Sequence, residues 1–443
     1  MATKAPELLS PAGTLKNMRY ALAYGADAVY AGQPRYSLRT RENDFDLSNL
    51  ETGIKEAHEL GKLFYVASNV LPHNTKVKSY MADMAPVVNL KPDALIMADP
   101  GLIMMVREKW PEIPIHLSVQ ANTLNYATVN FWQAQGVERI ILSRELSLDE
   151  IEEIRQRCPD MELEVFVHGA LCIAYSGRCL LSGYLNHRDP NQGTCTNACR
   201  WDYDVKSAEV DATGDIKLAS CGDQVRHPDA NQPVLIEEGG RPGELMVMEE
   251  DEHGTYIMNS KDLRAIEHVS RLTKIGIDCL KIEGRTKSHY YTARTAQVYK
   301  QAIEDAVGGK DFDTSQLGIL EGLANRGYTD GFLERHHTHD YQNYMDGHSK
   351  SNEQIFVGEI SRVDADAQLA EVIVKNKFAV GDKLELILPG GNKDFVLSDM
   401  ENLKGDPMNV APGGGHTVMI PWQDSRDNNS GELGLVARYL ANN

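Results

Sequence analysis

The chain has 443 residues, of which 42% are hydrophobic and 25% charged, and it carries a formal net charge of −19. That length and balance mark a globular protein and exceed one ordinary domain, so two or three packed units are expected. The acidic surplus excludes a broadly basic nucleic-acid-binding surface, and any grip on a phosphate backbone must be gathered in one place.

The opening residues MATKAPELLS lack a basic stretch followed by an apolar run, and no segment approaches the roughly 18 apolar residues of a membrane helix. A cytoplasmic protein without membrane contact is the expectation. From residue 7 to about 300, short apolar runs alternate with longer segments of helical period, the pattern of βα units. The predicted strands are Glu7 to Ser10, Ala28 to Ala31, Leu63 to Ser68, Ala94 to Ala98, Ile115 to Val119, Arg139 to Ser143, Leu163 to Val167 and Cys279 to Ile282. Between them lie amphipathic stretches such as LKNMRYALAYG and SLDEIEEIRQRC, opening near Ser, Asp or Thr and several closing at Gly or Pro. Eight strands with intervening helices fit the α/β class as a (β/α)8 TIM-like barrel over residues 1–310, better than an open, Rossmann-like sheet. No glycine-rich dinucleotide or P-loop motif follows the first strand.

An insertion over 169–256 separates the seventh strand from the eighth, and its polar part, DATGDIKLASCGDQVRHPDANQPVLIEEGGRPGE, reads as an irregular excursion. A helix around Tyr290 to Val307 closes the barrel. Residues 311–350, with the His-rich RHHTHD that holds His336, His337 and His339, read as a solvated connecting arm. From 351 to 443 the pattern changes to short β-like runs, IFVGEI, AEVIVKN, KLELILP, KDFVLS and HTVMIPW, which predict a small C-terminal all-β barrel.

The active site of a (β/α)8 barrel forms at the C-terminal ends of its strands. Read off those ends, the chain places Ser10, Gln33, Asn69, Asp99, Gln120, Arg144, Glu145, His168, Lys281, Glu283 and Arg285 on one mouth. Two arginines and a lysine converging there point to an anionic ligand, because guanidinium groups match carboxylate or phosphate oxygens. The plain alternative pairs Arg144 with Glu145 and Arg285 with Glu283 as solvated loop charges. Of these residues, Arg144, Arg285, Lys281, Gln120 and Asn69 are the candidates for substrate binding, and His168 and Glu283 for proton transfer. His168, four residues before the first clustered cysteine, also suits a metal ligand, a support for one, or a histidine simply satisfied at a strand end. The loop RYSLRTRENDF, with Arg35, Arg39 and Arg41, and the lysines Lys375, Lys377 and Lys383 of the C-terminal part are the basic, partly aromatic features suited to a nucleic-acid backbone.

Four of the seven cysteines, Cys172, Cys179, Cys195 and Cys199, fall within 28 residues as C-x6-C-x15-C-x3-C. In a reducing compartment such clustering favours metal ligation over disulfides. Structural zinc prefers paired short knuckles, which only Cys195 and Cys199 approach, whereas a 4Fe-4S cluster tolerates irregular spacing. Cys221 competes with Cys199 for the fourth position, and Cys158 and Cys279 read as packed thiols.

ELLSPAGTLKNMRYALAYGADAVYAG, HLSVQANTLN, ILSRELSLDEI, HGALCIAYSGRCLLSGYLNHRDPNQGTCTNACRW and LKIEGRTKSHYY together resemble peptidase family U32, the collagenase-like peptidases of unassigned catalytic type. The resemblance covers the barrel and the appended β-domain. It implies oxygen-independent hydroxylation of the wobble uridine in a tRNA anticodon loop to 5-hydroxyuridine, with prephenate as cosubstrate, an electron donor as partner, and Cys172, Cys179, Cys195 and Cys199 as iron-sulfur ligands. Two other functions stand beside this one: a peptidase, and a non-catalytic iron-sulfur module that binds RNA. The peptidase reading finds neither a G-x-S-x-G elbow nor an H-E-x-x-H motif in the sequence.

Overall fold

The computed structural model describes residues 4–38, 43–171, 261–325, 327–334, 354–364, 366–423 and 433–440, together with the backbone of five short strands between 208 and 256. Seven strands open the chain: β1 (Glu7–Pro11), β2 (Ala28–Gly32), β3 (Leu63–Ser68), β4 (Ala94–Met97), β5 (Ile115–Leu117), β6 (Arg139–Ile141) and β7 (Glu162–Ala170). They alternate with α1 (Leu15–Ala23), α2 (Leu47–Glu59), α3 (Asn74–Asn89), α4 (Pro100–Lys109), α5 (Tyr126–Ala134) and α6 (Leu148–Arg157). Five of these six helices, all but α3, begin where short polar side chains satisfy the first amides. Thr14, Asp46, Asp99 and Asn125 each accept from the amide three residues on, and Ser147 with Glu150 forms a reciprocal capping box.

Every neighbouring pair from β1 to β7 is parallel, and β14 (Cys279–Ile282) pairs with both β7 and β1, closing the eight-stranded barrel. Closure rules out the open-sheet alternative. The strands are buried on both faces, which is why they read as near-continuous apolar runs. After β14, α8 (His289–Val307) packs on α1 and on α7 (Val269–Ile275).

The region read as an irregular excursion carries five strands: β8 (Ala208–Val210), β9 (Ile216–Leu218), β10 (Val234–Glu237), β11 (Leu245–Asp251) and β12 (Gly254–Tyr256). They form an antiparallel pair, β8 with β9, and an antiparallel trio, β10 to β12. Short β-branched and apolar runs within a polar, Gly/Pro-rich context are sufficient for such ladders, and their brevity hid them. Then β13 (Asp262–Arg264) adds antiparallel to the far end of β7, and β15 (Tyr328–Thr329), reached through α9 (Ser315–Glu321), pairs parallel with β13.

The C-terminal part is an antiparallel half-barrel of seven strands in the order β20-β19-β24-β16-β17-β23-β21, with a separate β18–β22 pair. Its strands are β16 (Gln354–Asp364), β17 (Leu369–Val374), β18 (Phe378–Ala379), β19 (Lys383–Ile387), β20 (Lys393–Val396), β21 (Glu401–Asn402), β22 (Val410–Ala411), β23 (Thr417–Pro421) and β24 (Leu435–Tyr439). The central strand β24 was not among the runs expected from the sequence. This sheet has its own apolar core, but Ile387, Leu435 and Ala437 join the barrel's core instead. The seam lies on α1 and α8. Arg294 of α8, 1% exposed at its side chain, donates to both carboxylate oxygens of Glu385, at 3.2 and 2.6 Å, and Tyr24 donates to the carbonyls of Ile387 and Leu433.

Candidate functional site

At the C-terminal ends of the barrel strands lies a cavity of about 100 Å³, open to solvent at its mouth and lined by Asn69, Gln120, Arg144, Lys281, Glu283 and Arg285 among others. Six of the mouth residues named from strand-end positions are thus brought together. Arg144, three residues beyond β6, lies with its guanidinium 3.5 Å from the Phe166 ring centroid and 3.6 Å from the Glu283 carboxylate. This contact reaches across the mouth, because Glu283 lies just beyond β14 while Arg144 follows β6. Arg285, 8% exposed, donates to Ser37 Oγ at 2.9 Å and to the Leu38 carbonyl at 2.5 Å. Lys281 donates to Glu164 at 2.7 Å and stands over the Tyr30 ring.

Aromatic faces under three cations favour ligands that are both anionic and flat, since the rings supply apolar area and the cations supply charge. Gln120 adds a directional donor. Its Oε1 accepts from Ser118, while its Nε2 is buried with no hydrogen-bond partner among the described residues. An orphaned buried donor lining a cavity is satisfied when a ligand brings an acceptor. Asn69 accepts from the Leu38 amide and donates to Ser118 Oγ, so the loop after β2 and the end of β5 are tied to one side chain.

Beneath the cavity the barrel interior is a charged layer. Glu164 is wholly buried, pairs with Lys281 and stands 3.6 Å from Arg139. Arg139 donates to Glu7 at 2.8 Å, and Tyr65 donates to the same carboxylate at 2.9 Å. Burial, with Arg139 and Lys281 nearby, holds His116 well below the ordinary histidine range, and burial keeps the Cys279 thiol protonated. Sequence reasoning missed Glu164, Tyr30, Phe166 and Ser118. The available signal for Glu164 was a carboxylate inside LEVFV, opposite the lysine of CLKI, in strands otherwise apolar.

The remaining mouth residues lie elsewhere. Asp99 caps α4 through the Leu102 amide, and Ser10, Gln33 and Glu145 do not line the cavity. His168 does not line it either. Glu164 pairs with Cys279 and Phe166 with Lys281, but Ile282 then pairs with His168, so Val167 is an extra residue in β7. That bulge breaks the two-residue alternation and turns His168 to the outside of the barrel. There its Nδ1 meets Tyr299 Oη at 3.3 Å, the rings of Tyr291 and Tyr328 flank it, and burial drives its pKa down to about 3.

Cys172, Cys179, Cys195, Cys199 and Cys221 lie outside the described residues, as do Arg39, Arg41, His336, His337 and His339. Ala170, two residues before Cys172 in the chain, lines the cavity. Cys158 and Cys279 are buried. Of the basic groups considered for a nucleic-acid backbone, Arg35 pairs with Asp83, Lys375 with Glu359 and Lys383 with Asp394, while Lys377 is exposed. Among the described residues no helix is long and apolar enough to cross a membrane.

The models for peptidase family U32 and for the peptidase family U32 C-terminal domain match residues 13–343 and 352–430. The chain is 65% identical over 424 residues to tRNA hydroxylation protein P of Escherichia coli, covering 94% of this chain and 93% of that protein. It is 58% identical over 426 residues to the Haemophilus influenzae protein of the same name, covering 94% and 93%. Against that of Helicobacter pylori strain J99 it is 40% identical over 353 residues, covering 79% and 77%.

Proposed function

The chain belongs to peptidase family U32, and from that membership we propose that it is a tRNA-modifying enzyme which hydroxylates the wobble uridine to 5-hydroxyuridine without dioxygen. The relatives named above as tRNA hydroxylation proteins support the coarser part of this reading. The cavity supports the finer part, that the cosubstrate is prephenate, a ring bearing two carboxylates. Arg144 and Arg285 bind the carboxylates, the Tyr30 and Phe166 faces bound the ring, and Gln120 Nε2 and Asn69 orient its polar substituents. Lys281, balanced by Glu164, presents an ammonium whose position is fixed from below. Glu283 is the carboxyl group placed to accept or return a proton, a role that His168 cannot share from the outer face.

The donor set of Cys172, Cys179, Cys195 and Cys199 fits a 4Fe-4S cluster, with Cys221 as rival for the fourth ligand. Such a cluster supplies electrons or a Lewis-acidic iron when bound. A wobble base leaves its stack at small cost because it sits in a single-stranded loop, so the uridine ring can be presented at a cavity mouth.

The observation that carries the reading is the convergence of Arg144, Arg285 and the orphaned Gln120 amide on one aromatic-walled cavity. Nucleoside mass spectrometry of tRNA from cells lacking this chain tests it: 5-hydroxyuridine should be absent, return with the wild-type gene and stay absent with Arg285→Ala. Calorimetry with the purified Arg285→Ala protein should show prephenate binding lost, and unchanged affinity would remove Arg285 from the site. Anaerobically purified protein should contain iron and acid-labile sulfide; a colourless protein holding zinc alone would overturn the cofactor assignment.

A further inference from the structure

A second cavity lies behind β7, lined by Lys261, Arg264, Glu267, His268, Asp330 and Glu334, and it shares no lining residue with the mouth. Tyr328, also on its wall, is the residue whose ring packs against the outward-turned His168. Its side chains take no part in the chemistry proposed above.

We propose that this cavity binds one divalent transition-metal ion through His268, Asp330 and Glu334. The three come from two separately anchored segments. His268 ends the 3-10 turn Ile266–His268 that leads into α7. Asp330 and Glu334 follow β15, which is held by its pairing to β13, and the Leu333 carbonyl between them accepts from the Leu148 amide at 3.0 Å. One donor atom from each of the three lies within 4.8 Å of the other two.

The spacing separates a metal site from a hydrogen-bonded cluster. His268 Nε2 stands 3.6 Å from Asp330 Oδ2, and Nδ1 stands 3.8 Å from Glu334 Oε1. Both distances exceed those of hydrogen bonds. Bonds of about 2.1 Å to one ion at a tetrahedral angle set neighbouring donor atoms about 3.4 Å apart, close to the His268–Asp330 separation. One imidazole nitrogen serves one ion, so Nε2 with Asp330 makes the fixed pair, and the half-exposed Glu334 completes the set by rotation about its side chain.

Charge points the same way. Glu267, Asp330 and Glu334 face Lys261 and Arg264, and Arg264 is already paired with Glu321 at 3.0 Å. The surplus is negative and a divalent cation neutralises it. Imidazole with two carboxylates suits manganese, iron or zinc and is too hard a set for copper(I). Bound there, the ion ties the β15 segment to the turn before α7, at the back of the strand from which the cysteine-bearing insertion departs.

Manganese is the probe, because zinc also enters thiolate sites whereas Mn²⁺ prefers nitrogen and oxygen donors. The full-length protein, purified anaerobically and dialysed against chelator, is titrated with MnCl2 while free Mn²⁺ is followed by electron paramagnetic resonance. One saturable site per chain is expected, weakened at least about tenfold by His268→Gln and by Asp330→Asn, and untouched by Arg285→Ala in the mouth. Wild-type protein that takes up no Mn²⁺ at millimolar concentration overturns the proposal, whatever the variants do. So does binding that survives in both folded variants.

Discussion

Replacing Glu164 by glutamine removes one charge from the layer beneath the cavity and keeps the side-chain shape. In the native barrel its carboxylate is 2.7 Å from Lys281 Nζ and 3.6 Å from Arg139, with neither Glu164 nor Lys281 meaningfully exposed. At an effective dielectric of about 20, one such contact at 2.7 Å amounts to roughly 6 kcal/mol of Coulomb energy, most of it offset by desolvation of the two ions. The loss on removing one partner is therefore set by the lysine left behind, and buried pairs broken this way cost about 3–5 kcal/mol. The glutamine carbonyl still accepts from Lys281, which puts Glu164→Gln near the low end, about 3 kcal/mol. Adding Lys281→Met removes the stranded ammonium, the uncompensated buried charge that sets most of the loss, and should recover about 2 kcal/mol. Urea unfolding followed by tryptophan fluorescence is the assay. With a slope of about 3 kcal/mol/M, the single variant's midpoint falls by about 1 M and the double variant's by much less. A single variant within about 1 kcal/mol of wild type, or a double variant no more stable than the single, would refute the claim that the pair is a desolvated unit.

His168 gives the stability a pH dependence of known sign. Its folded pKa is held near 3 against 6.5 when unfolded, so the unfolded chain binds the proton first and stability is lost as pH falls below about 6.5. Between pH 7 and 5 this histidine alone should remove about 2 kcal/mol, and His168→Phe should shrink the drop in urea stability over that range by that amount; an identical drop in both proteins would place the proton elsewhere. Glu283→Gln frees the Arg144 guanidinium from its carboxylate partner, so calorimetric affinity for prephenate should rise roughly tenfold even as hydroxylation falls, and weaker binding would contradict the charge argument. Gly32→Ala should cripple prephenate binding without unfolding the barrel. A Cβ at that position collides with Ser37 Oγ and Arg285 Nη1, and full affinity in calorimetry would show that Arg285 is not held where binding needs it.

The barrel was legible because a parallel sheet buried on both faces must be written as apolar runs, and the polar residues that end those runs had to fall on one rim. That logic identified Asn69, Gln120, Arg144, Lys281, Glu283 and Arg285 as neighbours from positions spread over more than 200 residues. Family membership was legible for a different reason, since segments such as HLSVQANTLN and LKIEGRTKSHYY carry it in their order of residues. Pairing was decided only in three dimensions. Arg144 meets Glu283, and Lys281 meets Glu164, because partners in a closed barrel are chosen by register between strands distant in sequence. The position of His168 depended on a single extra residue, Val167, and no two-residue pattern reveals where an alternation will slip. The meeting of His268 with Asp330 and Glu334 likewise had no trace in local spacing, for it arises from the pairing of β13 with β15 across more than 60 residues of chain. Composition and periodicity thus determined which runs are buried and on which rim the polar strand ends gather, and the order of residues within particular segments determined the family. Register, closure and one bulge decided which of those charges touch.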